Sequence, residues 1–123
     1  MAIKPLTSEN YYPVQYLTWA ALANGDTGEP YQSAKLSDKT VQVFGTFGTG
    51  GSLKIEGSND PRVISAPSSA VWVDLTDTTE TTIVFSAAGG AQILQNYRWI
   101  RPSVTAGDGT TSLTAIVSAK GCY

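Results

Sequence analysis

The sequence has no histidine, a single cysteine, and only eight lysines or arginines and ten aspartates or glutamates in 123 residues. Without histidine there is no side chain that titrates near neutrality by default, no Ser-His or Cys-His couple and no imidazole ligand for a metal. Cys122 is the only cysteine, which excludes an intrachain disulfide and a cysteine zinc site; one residue from the C-terminus, it reads as a chance thiol on a frayed tail, with an intermolecular bridge as the alternative. The charged fraction of 15% is well below the quarter typical of soluble domains, and the net charge is −2. Lysines and arginines are scattered, so there is no basic stripe to neutralise a phosphate backbone, and no nucleic-acid partner is expected. No apolar run reaches the ~20 residues of a membrane helix, so no membrane partner is expected. The first twenty residues carry Lys4, Pro5, Glu9, Asn10 and Pro13 where a secretory signal would have its apolar stretch. The product is therefore expected to stay where it is made unless it is packaged into something.

What is present is a hydrophobic fraction of 41% that includes three Trp, six Tyr and three Phe. That is enough to order one core, and the length suits one domain. Residues 1–13 have no periodicity and are broken by Pro5, Ser8, Glu9, Asn10 and Pro13, which predicts an extended arm. Val14–Leu22 is rich in β-branched and aromatic residues and stops at Asn24-Gly25-Asp26, the mark of a first strand. A short edge strand is expected within Tyr31–Leu36. Residues 40–47 and 52–57 alternate in period two around Gly48-Thr49-Gly50-Gly51, which predicts a hairpin. Strands are also expected over Ala70–Leu75 and Thr81–Ser86, with a single helical turn over Ala91–Asn96. A closing strand pair, Tyr97–Val104 and Ser112–Val117, is joined across Gly107-Asp108-Gly109. Seven or eight short strands at spacings near ten residues predict an all-β chain, a single-domain antiparallel β-sandwich or jelly-roll-like fold over residues 14–121.

Candidate chemistry is sparse. Asp74 with Asp77, and Asp60 with Glu56, are the nearest carboxylate pairs, but Asp77 to Glu80 reads as a polar turn, and no catalytic residue is assigned. Gly48–Gly51 lacks the Lys-Ser or Lys-Thr pair and following helix of a phosphate loop. Asp108 with Asp26 is too thin a carboxylate set for calcium, so no metal or cofactor is assigned. Trp19, Trp72 and Trp99 read as core, with a sugar-stacking platform as the functional alternative. Tyr11, Tyr12 and Tyr123 fall outside the expected strands, where tyrosine commonly anchors interfaces. Ile3, Leu6, Tyr11 and Tyr12 are the candidate partner-binding residues of the arm.

The run Asp38–Gly48, then Leu53–Asp60, and after them Trp72-Val73-Asp74-Leu75, Phe85–Gly89, Ile100–Val104 and Gly107–Thr111, resembles in order a family of small virion proteins of tailed bacteriophages. The resemblance spans roughly residues 15 to 119. It implies a capsid decoration, or cement, protein that is not an enzyme. Such a protein would sit on the outer capsid surface of the virion, bind the major capsid protein and associate with copies of itself, as a trimer or dimer. The alternative it leaves open is a tail, neck or fibre-associated structural protein, including a glycan-binding adhesin. Ile55–Asp60 followed by a Trp also resembles the strand and turn of discoidin-type carbohydrate-binding domains. Pro61 to Val71 intervene before that Trp here, which favours a structural turn.

Overall fold

Alternation of apolar and polar residues, rather than any helical period, runs through the chain, and strands form wherever it persists for more than a few residues. The computed structural model describes residues 2–121; Met1, Cys122 and Tyr123 lie outside them, and with them the expectations placed on Cys122 and Tyr123. The strands are β1 (Ile3–Lys4), β2 (Leu6–Tyr11), β3 (Val14–Leu22), β4 (Thr27–Gly28), β5 (Tyr31–Gln32) and β6 (Leu36–Thr46). They continue with β7 (Ser52–Ser58), β8 (Val73–Asp74), β9 (Val84–Phe85), β10 (Gly89–Gln92), β11 (Trp99–Ala106) and β12 (Ser112–Gly121). Between β7 and β8 lie a four-residue helix, α1 (Arg62–Ser65), and a 3-10 turn, Pro67–Ser69.

Two sheets face each other, as an all-β sandwich requires. One runs β10-β6-β12-β3-β2 and is antiparallel throughout. The other runs β1-β4-β11-β7-β8, with β5 also on β11 and β9 also on β7; only β1 and β4 are parallel. The apolar layer between them includes Leu17, Trp19 and Leu22 of β3, Val41 and Val43 of β6, Leu53 and Ile55 of β7, Ile100 and Val104 of β11, and Leu113 and Val117 of β12. Irregular pairing of β12 with β3 and with β6 occurs beside Ala21 and Asp38, whose φ values of 56° and 51° are left-handed. These are bulges that bend the long strands around the core.

Four expectations are corrected. First, the segment expected as an arm over residues 1–13 is not separate from the domain: its described residues form β1, β2 and the turn into β3. β2 pairs with β3 from Leu6↔Trp19 to Tyr11↔Val14, and β1 pairs with β4, so the segment supplies an edge strand to each sheet. Second, β6 and β7 are not a hairpin: the Gly48–Gly51 turn carries the chain from one sheet to the other. Third, β11 and β12 cross between sheets in the same way across Gly107–Thr111. An arch and a hairpin share the same period-two pattern, because both place alternate residues in one core; the pattern says which face is buried and not which strand is the neighbour. Fourth, Ala91–Asn96 is not a helical turn. Ala91 and Gln92 pair with Val41 and Thr40, and residues 93–98 are irregular.

Leu6 packs against the core, so Leu6→Ala should lower stability by about 1–2 kcal/mol in chemical denaturation. A Cβ on Gly28 would lie 2.5 Å from Trp19 Cδ1 and 2.5 Å from Pro102 Cδ. Gly28→Ala should therefore cost about 1–3 kcal/mol by overpacking. An unchanged denaturation midpoint in either variant would show that the N-terminal strands are not docked as described.

Candidate functional site

The N-terminal edge is fastened by carboxylates. Asp26, 4% exposed, accepts the backbone N–H of Ala2 at 3.0 Å and of Ala23 at 2.9 Å, and lies 3.7 Å from Lys4 Nζ. Burial pushes its pKa upward, but the two amides and the Lys4 ammonium outweigh burial and hold it below the usual carboxylate value. Glu29 accepts the N–H of Leu6 at 3.1 Å, and its carbonyl takes the indole N–H of Trp19 at 2.9 Å.

On the outer face of the seven-stranded sheet, β7 and β11 pair so that Glu56 stands opposite Arg101 and Lys54 opposite Ser103. Arg101 Nε donates to Glu56 Oε1 at 3.0 Å, and Lys54 Nζ donates to Asp74 at 2.8 Å while lying 3.4 Å from Glu56. The Asp74 hydrogen bond raises the lysine's pKa despite partial burial. The Arg101 guanidinium stacks 4.0 Å from the Trp72 ring centroid, the geometry of a cation–π pair.

Trp72 is placed there by the Ser58-Asn59-Asp60 turn. Ser58 Oγ donates to Val71 O at 2.7 Å and accepts Asp60 N–H, while Asn59 Oδ1 accepts the N–H of Arg98. Asp60 accepts the Val71 N–H at 3.0 Å and the Arg62 guanidinium at 2.8 Å, and that guanidinium, with the Arg62 and Val71 amides, holds its carboxyl far below the usual range. The turn is thus structural, and it closes the loop over residues 60–71. Between this loop and the sheet is a cleft of about 560 Å³ lined by Ile3, Thr27, Pro67, Ala70, Trp72 and Arg101. The size falls within the ordinary range of ligand pockets, roughly 300–1,000 Å³.

The outer face of the five-stranded sheet is different. Its outward positions include Thr7, Tyr16, Thr18, Gln42, Phe44, Thr114, Ile116 and Ser118, with Glu9 and Lys120 carrying charge. Few of its outward side chains carry charge.

The four residues expected to anchor a partner do not form one cluster. Ile3 is 62% exposed at the rim of the cleft, whereas Leu6 is turned into the core. Tyr11 and Tyr12 are exposed at the β2–β3 turn, where the Tyr11 ring meets Tyr16 edge-on at 5.8 Å and its hydroxyl donates to Glu9. Of the three tryptophans, Trp19 is core; Trp72 and Trp99 are half-buried on the outer face, each beside an arginine. The carboxylates considered for catalysis or calcium are occupied in local structure. Asp77 caps its own turn through Thr79 and Thr81, and Asp108 accepts the Thr49 and Thr110 amides and the Thr110 hydroxyl. Among the described residues there is no group of three potential metal ligands, and no helix long and apolar enough to cross a membrane. The Glu56–Arg101–Trp72 stack was missed at the sequence level; the signal for it is the outward phase of Glu56 and Arg101 on two strongly alternating strands.

No protein-family profile matches the chain, and no curated protein matches it in sequence. Solved structures do. The crystal structure of the SPBc2 prophage-derived protein YomS superimposes with a TM-score of 0.60 at 12% identity, covering 90% of this chain and 97% of that one. This is a shared fold across nearly the whole of both molecules. Protein NMB1881 from Neisseria meningitidis (TM-score 0.43, 9% identity, 94% and 83% covered) and KdgF from Halomonas sp. (0.41, 8%, 95% and 78%) are more distant.

Two expectations follow from the buried charges. The depressed Asp26 pKa means that its contribution is complete above the unfolded-state value, about 3.9, and is lost as pH falls through the folded value. Hydrogen exchange at β1, corrected for intrinsic rate, should therefore accelerate selectively on acidification below about pH 4, and Asp26→Ala should bring the same opening to neutral pH. Lys39 is fully buried on β6, with its ammonium donating to Asn96 Oδ1 and no carboxylate within ion-pair distance among the described residues; burial lowers its pKa. Lys39→Met should raise stability by about 1 kcal/mol, read as an upward shift in Tm, because the cost of a buried cation is removed. A fall in Tm would show that the ammonium is well compensated.

Proposed function

We propose that the chain is a structural virion protein of a tailed phage, a capsid decoration protein that binds the outer surface of the assembled shell and braces adjacent major capsid subunits. The observation that carries this reading is the architecture shared with a prophage-derived protein over almost the full length of both chains, in a sequence whose segments resemble phage virion proteins in order. The outer face of the five-stranded sheet supports it. Protein interfaces are depleted of charge at their centres, and a nearly neutral, hydroxyl-rich face desolvates at lower cost than a charged one. It is the surface offered to the shell and to further copies of the chain. Tyr11 and Tyr12, at the β2–β3 turn of this sheet, are exposed side chains of the type that anchors such contacts, whereas Ile3 lies on the opposite face. Leu6 contributes indirectly, by docking the strand that carries the two tyrosines.

The mechanism is linkage and involves no catalytic step. A protein that binds the assembled shell and not its dissociated subunits stabilises the shell by its binding free energy, and many copies multiply the effect.

A cryo-electron microscopy map of the virion should place this domain over junctions of the capsid lattice. In shell-binding assays, Tyr11→Ala and Tyr12→Ala should each reduce affinity about tenfold while leaving Tm nearly unchanged. Density confined to the neck, tail or fibres would overturn the decoration reading in favour of a tail component.

A further inference from the structure

The cleft beneath the 60–71 loop is continuous with an open sheet edge. Its floor is the outer face of β11, β4 and β1, where Ser103, Thr27 and Ile3 stand in register, and β1 is the last strand of that sheet. The parallel ladder uses the carbonyls of Ala2 and Lys4 to accept the N–H groups of Thr27 and Glu29. The N–H and C=O of Ile3, between them, therefore point away from β4 and are unpaired among the described residues. Asp26 and Glu29 clamp the chain on either side of this position, so the edge is held in the strand conformation in advance. At the inner end of the cleft, Arg101 uses Nε for Glu56 and its flat face for Trp72, while no hydrogen bond among the described residues uses its two terminal nitrogens.

These features select the chemistry of an occupant. Arg101 is offset by Glu56 and Lys54 by Asp74, so the site has no net charge with which to attract an ion. A sugar would seek an indole face, and one face of Trp72 is already covered by guanidinium. The walls are Ile3, Pro67, Ala70 and Trp72, suited to an aliphatic or aromatic side chain. An extended peptide satisfies all of this together: its backbone pairs with the open edge, one side chain enters the cleft, and a carbonyl reaches the free guanidinium nitrogens.

We propose that the β1 edge and the Trp72–Arg101 cleft form a strand-addition site for an extended, uncharged peptide segment of a partner virion subunit. That the partner is a virion subunit rests on the reading above; the recognition chemistry does not. The test is two-dimensional amide NMR of the chain titrated with a capped pentapeptide of alternating threonine and leucine. The expected result is saturable shifts of the Ile3 amide and the Trp72 indole. Binding should weaken about tenfold in Ile3→Pro, which removes the open-edge donor, and in Arg101→Lys, with the spectra themselves reporting retention of the fold. Three results would overturn it: no saturable shift; shifts at these positions with maltotriose in place of the peptide; or shifts that follow protein concentration without peptide, as for a second copy. Failure here with density still on the capsid lattice would remove the peptide site and leave the decoration reading. Peptide binding with density elsewhere would do the reverse.

Discussion

The packing of Trp19 against Gly28 is the contact on which the N-terminal half of the architecture depends. Trp19 is fully buried on β3, in one sheet, and its ring lies so close to the β4 backbone, in the other, that there is no room for even a methyl group at position 28. Its indole N–H is satisfied by the Glu29 carbonyl, which keeps this large side chain from burying an unpaired donor. One residue thereby sets the spacing of the sheets and the position of β4. Leu6 stands opposite Trp19 in the β2–β3 ladder, and its N–H is taken by the Glu29 carboxylate. Through the same centre both N-terminal strands are located, one at the edge of each sheet.

That arrangement gives the two outer faces different character. On the seven-stranded side the short edge strands leave room for the loop over residues 60–71, and the charges are gathered into the row Asp74, Lys54, Glu56, Arg101. Lys54, Glu56 and Arg101 are largely screened from water, and each lies beside an opposite charge. The row ends under Trp72, and the cleft exists because the loop that carries Trp72 is held at its base by Asp60 and Ser58. On the five-stranded side β3, β6 and β12 are long, at nine, eleven and ten residues. There the chain places threonine, serine, glutamine and tyrosine, which keep the face wettable without committing it to charge.

Much of this was legible from residue order. β3 was expected over Val14–Leu22 and occupies those residues, because a nine-residue run enriched in β-branched and aromatic residues (Val14, Tyr16, Thr18 and Trp19) stops at a turn signal. The inward phase of Leu53 and Ile55 and the outward phase of Lys54 and Glu56 were also readable, since side-chain direction in a strand follows from parity alone. Strand neighbours were not. The Gly48–Gly51 segment has the composition of a hairpin turn, yet it joins strands of different sheets. The Tyr11–Val14 turn went unrecognised because β2 reads Leu-Thr-Ser-Glu-Asn-Tyr, polar on both faces after Leu6, which alone touches the core. Edge strands carry little pattern, as they bury little.

The sequence by itself determined that this is an all-β domain and, within each well-patterned strand, which residues share a face. These are properties of composition and parity, and they hold whatever the neighbours are. Only the tertiary structure decided that β1 and β2 are woven one into each sheet and that the two expected hairpins are arches. It also decided that Trp72 and Arg101, 29 positions apart in the chain, meet beneath a loop beside an open strand edge. Such contacts depend on which strands become neighbours across the core, and a pattern of period two contains the face of each residue but not the identity of its partner.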